Sequence, residues 1–589
     1  MRSRPPFSKN VWAIGAVVGL SLVVAAAIPF RGIFVGDPDI PPRIPAVFPA
    51  TWRYPAGARA TFAQHAMVAS DSRIASEVGV QIMKEGGNAV DAAVATGFAL
   101  AVAYPEAGNI GGGGYMVIRM ADGRVAALDY RETAPLAATR TMYVGADGKV
   151  NGESVIGPKA SGVPGSVAGM LEAHRKYGAL PLARVMAPAI RLAADGFVVD
   201  SNFVRSLQGE RYRIEGFAGK AIFFPNGAPL QIGSRFTQPV LARTLRLIAD
   251  SGAAAFYRGS IADSIAAHMK RSGGLITKED LARYRAIWRT PIRSSYRGYG
   301  LIAMPPSSSG GTTVTEMLQI LEAYGPAEKF GSAERVHAVA SASQRAFVDR
   351  NSKLGDPAFV NVPISTLTSK TYAREVARTI SRTHADPTTG IAALSEGTET
   401  THYSVVDTHG NAVATTTTLN DLYGSGVYIP GAGFFLNDEM DDFTSKPGVP
   451  NMYGLIQGEA NAIAPGKRML SAMSPTIVLD PRGNVLLIVG ARGGPRIISA
   501  TAEVILNVID HRMSIADAMS APRVHHQSLP DSIRLETGGF DSATIARLQQ
   551  MGHATFELFG IASAEAIMRV KGGYEGMPDP RSRGAAVGF

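Results

Sequence analysis

Hydrophobic and polar positions are unevenly patterned along this chain of 589 residues. An uncharged apolar run at 11–30 follows Arg2, Arg4 and Lys9, and the stretch 37–56 is punctuated by Pro38, Pro41, Pro42, Pro45, Pro49 and Pro55. Further on, 72–85 and 89–102 carry helical periodicity on either side of Gly86-Gly87, while 115–120 and 124–130 read as strands around an Asp122-Gly123 turn. The segment 158–250 is largely helical, most clearly at 167–176 and 184–194. From Thr400 the pattern becomes strand, turn and strand, followed by loops, a further apolar strand at 485–489 and a helix at 497–510. Just before Thr400, residues 388–399 are mostly small and polar, which predicts an exposed connection.

The N-terminal pattern is that of an export signal: basic residues, then an apolar run near the roughly 20 residues that span a bilayer. Ala25-Ala26-Ala27 supplies small residues for cleavage, so a removed signal and an uncut anchor are both compatible with residues 1–30. In either case the positive charge before the run leaves the body outside the cytoplasmic membrane, in the periplasm or beyond. The proline-rich stretch reads as an extended linker over 31–58, with the globular body starting near Arg59. With 46% hydrophobic and 18% charged residues the chain has ample apolar surface for a core. Its net charge of +9 is scattered, without the basic runs or aromatic ladders of a nucleic-acid binder. Cysteine is absent, which excludes disulfides, thiolate nucleophiles and cysteine metal sites.

Candidate chemistry centres on Glu399-Thr400-Thr401-His402-Tyr403-Ser404-Val405-Val406-Asp407, followed by Thr415-Thr416-Thr417-Thr418-Leu419-Asn420. By alternation alone these residues describe an ordinary hairpin turning at Asp407 to Asn411. A threonine hydroxyl is a weak nucleophile unless a base takes its proton, and a free α-amine titrating at about 7.7 to 8.0 is one such base. Thr400 is internal as translated, so only breaking the Glu399-Thr400 bond would create that amine.

The same segment, with Leu436-Asn437-Asp438-Glu439-Met440-Asp441-Asp442-Phe443, Pro450-Asn451-Met452-Tyr453-Gly454, Leu470-Ser471-Ala472-Met473-Ser474-Pro475-Thr476 and Gly493-Gly494-Pro495-Arg496-Ile497, closely resembles the γ-glutamyltranspeptidase family. Upstream, Gly86-Gly87-Asn88-Ala89-Val90-Asp91 and Gly111-Gly112-Gly113-Gly114-Tyr115 fit the same order, so the resemblance runs from about Ala69 to Phe589. It implies an α+β fold, the αββα four-layer sandwich of N-terminal nucleophile hydrolases. It also implies self-cleavage into a large subunit, 59–399, and a small subunit, 400–589, that stay together as a heterodimer.

What the resemblance implies for the site is specific. Thr400 would be the nucleophile both for cutting after Glu399 and for taking the γ-glutamyl group of glutathione or a related donor. Water would then give hydrolysis, and an amino acid or dipeptide acceptor would give transfer. Thr418 would orient Thr400, and Gly493-Gly494 would offer backbone N–H groups to the oxyanion. Arg131 would grip the donor α-carboxylate, while Asn420, Glu439 and Asp442 would hold its α-ammonium. Tyr453, in a lid over 450–468, would close towards Asn420. No metal and no organic cofactor is implied.

One departure stands out. Two adjacent serines usually help bind the donor carboxylate in this family, and here the pair reads Ser471-Ala472. A lost hydrogen bond to a charged group typically costs about 1.5 to 3 kcal/mol, so weaker donor binding or a shifted donor preference is expected. Ala472 therefore keeps a cephalosporin or glutaryl acylase on the same scaffold as the alternative function. Two other motifs do not point to sites: Gly111 to Gly114 lacks the Lys and Ser/Thr of a phosphate loop, and adjacent His525 and His526 on a strand point oppositely.

Overall fold

The computed structural model describes residues 43–388 and 400–589. The apolar run 11–30, the first part of the linker, and Glu399 with most of the polar connection lie outside the described residues.

Two seven-stranded sheets form the centre. The first runs Ala585–Gly588, Met67–Ser70, Thr401–Val406, Ala412–Thr418, Gly113–Arg119, Val125–Asp129 and Ile287–Arg289. The second runs Thr61–Ala63, Gly573–Pro578, Ser563–Val570, Val485–Arg492, Thr476–Leu479, Tyr299–Ala303 and Ile292–Tyr296. They stack with Thr401–Val406 and Ala412–Thr418 against Val485–Arg492. Helices Arg73–Lys84, Ala89–Ala103 and Ser166–Tyr177 cover the outer face of the first sheet, and Gly310–Tyr324, Arg496–Ile509 and Ile515–Ser520 cover the second. The αββα four-layer architecture follows.

Strand alternation explains the layering. On Gly113–Arg119, Met116 and Ile118 join the core beneath the first helical layer, whereas Tyr115 and Val117 join the core shared with the second sheet. Successive residues of one strand thus fill two different cores, and every position of Thr401–Val406 and Ala412–Thr418 is buried.

The helices begin where the sequence supplies caps. Asn88 caps Ala89–Ala103 by accepting from the Val90 and Asp91 backbones, and the Asp91 carboxylate accepts from the Asn88 N–H at 3.0 Å. That helix is buried along its whole length and packs against the hairpin that starts at Thr401. The quartet Gly111 to Gly114 serves close packing: a Cβ on Gly112 would sit 2.0 Å from the Thr418 carbonyl oxygen. Residues 43–58 form no helix or strand, yet they are docked on the body. The Ile44 N–H donates to the Arg512 carbonyl at 2.8 Å, and buried Trp52 donates its indole N–H to the Ser520 carbonyl at 2.8 Å.

Candidate active site

The antiparallel hairpin sets the site. Thr401 pairs with Thr417, so Thr400, one residue earlier, faces Thr418 at the open end of the ladder. Both threonines are buried and line one small cavity with Arg131, Arg350, Asn420, Asp442, Tyr453, Ser471, Ala472 and Gly494. Glu439 and Gly493 stand behind that surface and do not line it. A much larger cavity of about 610 Å³ lies elsewhere, against Leu171, Tyr257 and Tyr284. It holds none of the predicted site residues, so chemistry and not size selects the cavity at Thr400.

Thr418 and Asn420 form a tight corner. The Asn420 N–H donates to Thr418 Oγ1 at 2.8 Å, Asn420 has φ +84°, and its side-chain amide donates to the Asp438 carbonyl at 3.1 Å. Tyr453 covers this corner, its hydroxyl donating to the Asn420 carbonyl at 2.8 Å. The space left beneath it is about 20 Å³, close to the volume that a single water requires. A donor the size of a glutamyl group does not fit this space, so the cavity wall must open to admit one.

Gly493 and Gly494 stand between the strand Val485–Arg492 and the helix Arg496–Ile509, with φ of +130° and +56°. These angles suit glycine, and the pair immediately precedes a helix N-terminus, whose partial positive charge favours an anion. The ring of Tyr453 lies directly over Gly494, where a Cβ would meet its Cδ1 at 2.8 Å.

Arg131 is 1% exposed and sits among three carboxylates. Its guanidinium is 2.6 Å from Glu439 and 3.6 Å from Glu132, and it is hydrogen-bonded to Asp442. Burial pushes the Glu132 carboxyl up to about 8, against the pull of Arg131. Burial likewise raises Glu439, with Arg131 opposing it and the neighbouring carboxylates adding to it, and burial raises Asp442 against the pull of Arg131 and Arg350. One cation cannot neutralise three anions, so the cluster carries surplus negative charge or a retained proton. The predicted carboxylate grip and the predicted ammonium grip are thus in direct contact, not at separate ends of the cavity.

Three charged side chains at or beside the site escaped the sequence reading. Glu132 follows Arg131 in a motif where only the arginine drew a role. Asp71 is buried beside the hairpin, where it accepts from Thr401 Oγ1 at 2.9 Å and lies 3.5 Å from Arg492. Burial raises its pKa, with Arg492 and Thr401 pulling it back. One carboxylate thereby fixes the neighbour of Thr400 and the neighbour of Gly493. Arg350 reaches the cavity wall from the helix Ala333–Lys353. Asp71 and Arg350 meet partners far away in the chain, and Glu132 joins Glu439 around Arg131 only in the fold, so no local signal reveals their place in the site.

Three buried histidines have structural partners. His402 is buried, bonded to Thr416 Oγ1 at 2.8 Å, and burial drives its pKa down to about 3, so it is neutral at working pH. His525 pairs with Ser499 at 2.7 Å and His526 with Asp531 at 3.1 Å.

Comparison with known proteins gives the family. The family model described as gamma-glutamyltranspeptidase matches residues 75–589. A glutathione hydrolase proenzyme of Escherichia coli (strain K12) is 47% identical over 529 residues, covering 88% of this chain and 91% of the relative. An acylase ACY 1 proenzyme of Pseudomonas sp. (strain SE83) is 42% identical, covering 78% and 82%. Among solved structures, the cephalosporin acylase from Bacillus halodurans aligns with a TM-score of 0.79 at 28% identity, covering 92% of this chain and 99% of that one. A match of this extent, in family order from the first helix to the C-terminus, makes the chain a member of the γ-glutamyltranspeptidase family.

Proposed function

We propose that this chain is a self-processing γ-glutamyltranspeptidase and glutathione hydrolase. The observation that carries the reading is the single cavity joining Thr400 and Thr418 to an arginine held among three carboxylates. A γ-glutamyl donor brings both an α-carboxylate and an α-ammonium, and the surplus negative charge around Arg131 matches the ammonium.

Processing comes first. Thr400 Oγ1 attacks the Glu399 carbonyl carbon, the C–N bond breaks as the nitrogen takes a proton, and water hydrolyses the resulting ester. The products are a Glu399 carboxylate and a free Thr400 amine, dividing 59–399 from 400–589 as large and small subunits of one heterodimer. In turnover that amine accepts the Thr400 hydroxyl proton as Oγ1 attacks the γ-glutamyl carbonyl. The Gly493 and Gly494 N–H groups meet the developing oxyanion, and Thr418 orients the hydroxyl. The leaving amine takes the proton, which leaves a γ-glutamyl-Thr400 ester. Water releases glutamate, or the amine of an amino acid or dipeptide takes the acyl group.

In the ground state Arg131 holds the donor carboxylate, and Asn420 and Asp442 hold its ammonium, with Glu439 adding charge from behind. Tyr453 closes over the acyl-enzyme. Residues 1–30 direct the body out of the cytoplasm, as a cleaved signal or as an anchor.

Ala472 and the acylase relatives favour a second reading, deacylation of glutaryl-type substrates. The two separate by donor. The purified mature enzyme is assayed with glutathione and with glutaryl-7-aminocephalosporanic acid. A kcat/KM at least tenfold higher on glutathione is expected, and the reverse order overturns the γ-glutamyl reading.

A further inference from the structure

Among the described residues, Arg350 is the one charged side chain of the cavity wall that neither the family motifs nor the proposed chemistry accounts for. It is 1% exposed. Its Nε donates to Ser309 Oγ at 3.1 Å, and its Nη1 donates to Asn351 Oδ1 and Gln457 Oε1, both at 2.9 Å. Its Nη2 makes no hydrogen bond among the described residues, and no carboxylate there lies within ion-pairing distance. Asp442 acts on it only at longer range.

A buried guanidinium normally has a carboxylate against it, because an uncompensated charge in the interior is expensive. Here burial without such a partner lowers its pKa to about 10, so it stays protonated at working pH. Arg131 shows the opposite condition, being already engaged with Glu439, Asp442 and Glu132. The cavity thus holds one arginine whose charge is already offset by carboxylates and one with an amino group to spare.

The location is specific. Ser309, which Arg350 holds, donates its backbone N–H and its Oγ to the Ser471 carbonyl at 2.8 and 2.5 Å. The guanidinium therefore belongs to the same wall as Ser471 and Ala472, where the second serine hydroxyl is missing. Gln457, its other partner, donates to the Asp442 carbonyl at 3.1 Å, which ties Arg350 to the lid and to the carboxylate cluster.

We propose that Arg350 is a specificity-determining residue whose Nη2 binds the donor α-carboxylate beside Ala472, in place of the missing hydroxyl. This rests on the γ-glutamyl reading of the site, since it supposes a donor with a carboxylate at that end. A guanidinium reaches further than a serine hydroxyl and carries a full charge, so selection falls on the carboxylate itself. Donors that keep the carboxylate but lack the ammonium remain acceptable, whereas donors lacking the carboxylate gain nothing from Arg350.

The test compares three p-nitroanilide donors on mature wild type and Arg350→Gln: γ-glutamyl, glutaryl (no ammonium) and 4-aminobutyryl (no carboxylate). Arg350→Gln is expected to lower kcat/KM about ten- to a hundredfold for the first two, mainly through KM, and to leave the third within about twofold. The inhibition constant of glutarate should rise by the same factor. A parallel loss on all three donors, or an unchanged glutarate inhibition constant, overturns the proposal in favour of a structural arginine. Should Arg350→Gln fail to mature, Arg350→Lys replaces it, keeping the charge but not the forked amino group, and the same split between donors is required. A wild type inert towards the γ-glutamyl donor yet active on the glutaryl one would sink the proposed activity and leave the Arg350 comparison standing.

Discussion

Asp71→Asn isolates the device that aligns the nucleophile with the oxyanion turn. The carboxylate binds Thr401 through one oxygen at 2.9 Å and lies 3.5 Å from Arg492 through the other. Asparagine keeps an acceptor for Thr401 but removes the charge that holds Arg492. Breaking a fully buried ion pair costs about 3 to 5 kcal/mol, and the 17% exposure of the Arg492 side chain argues for the lower end or less. The catalytic effect is larger in proportion, because a displacement of about 1 Å between nucleophile and oxyanion donors costs on the order of a hundredfold in rate. We expect kcat to fall about 30- to 100-fold with the donor KM changed less than about threefold, since Asp71 does not line the cavity. Self-cleavage, which uses the same hydroxyl and the same turn, should slow in parallel when followed by the appearance of two chains on a denaturing gel. A lowered melting temperature with unchanged kcat and unchanged cleavage rate would refute the reasoning.

The carboxylate cluster gives a pH prediction. Glu132 sits at about 8 and Glu439 is raised by burial, so the cluster holds a proton at pH 7 that an arriving ammonium displaces. L-Glutamate binding should then release close to one proton in calorimetry across buffers of different ionisation enthalpy, and should tighten from pH 6 to about 8. Affinity independent of pH over that range would contradict it. Tyr453→Phe deletes the bond to the Asn420 carbonyl, worth about 1 kcal/mol, and should raise the ratio of hydrolysis to transfer about fivefold, read from free glutamate against transfer product. An unchanged ratio would remove Tyr453 from the gate. Ala472→Ser should lower the donor KM, and by more in Arg350→Gln than in wild type; equal effects in both backgrounds would show that the two groups do not share a ligand.

Much of the local structure was legible because local rules decide it. The break at Gly86-Gly87, with Asn88 and Asp91 at fixed offsets, marks the start of Ala89–Ala103, and the Asp122-Gly123 turn marks the hairpin from Gly113–Arg119 to Val125–Asp129. The stack of two sheets was not readable from periodicity. Strands buried on both faces lose their alternation, and four of the seven residues of the most central one, Ala412–Thr418, are threonine, so hydrophobic patterning says nothing of its burial. The residues that the cavity gathers came from family order. Those it gathers without a family role, Arg350 foremost, depend on contacts such as Arg350 to Gln457 that span 107 positions of the chain. The proline-rich stretch shows the converse limit. Composition reads it as a linker, while its docking depends on a pocket for Trp52 formed by residues near the other end of the chain.

The central claim is that Thr400 becomes a new N-terminus by its own chemistry. Intact-mass spectrometry with N-terminal sequencing of the purified wild type and of Thr400→Ala tests it most directly. The account predicts two chains in the wild type, the smaller beginning at Thr400, and one uncut, inactive chain in Thr400→Ala. A wild type that is fully active as a single chain, or a Thr400→Ala protein cut at the same bond, would contradict it.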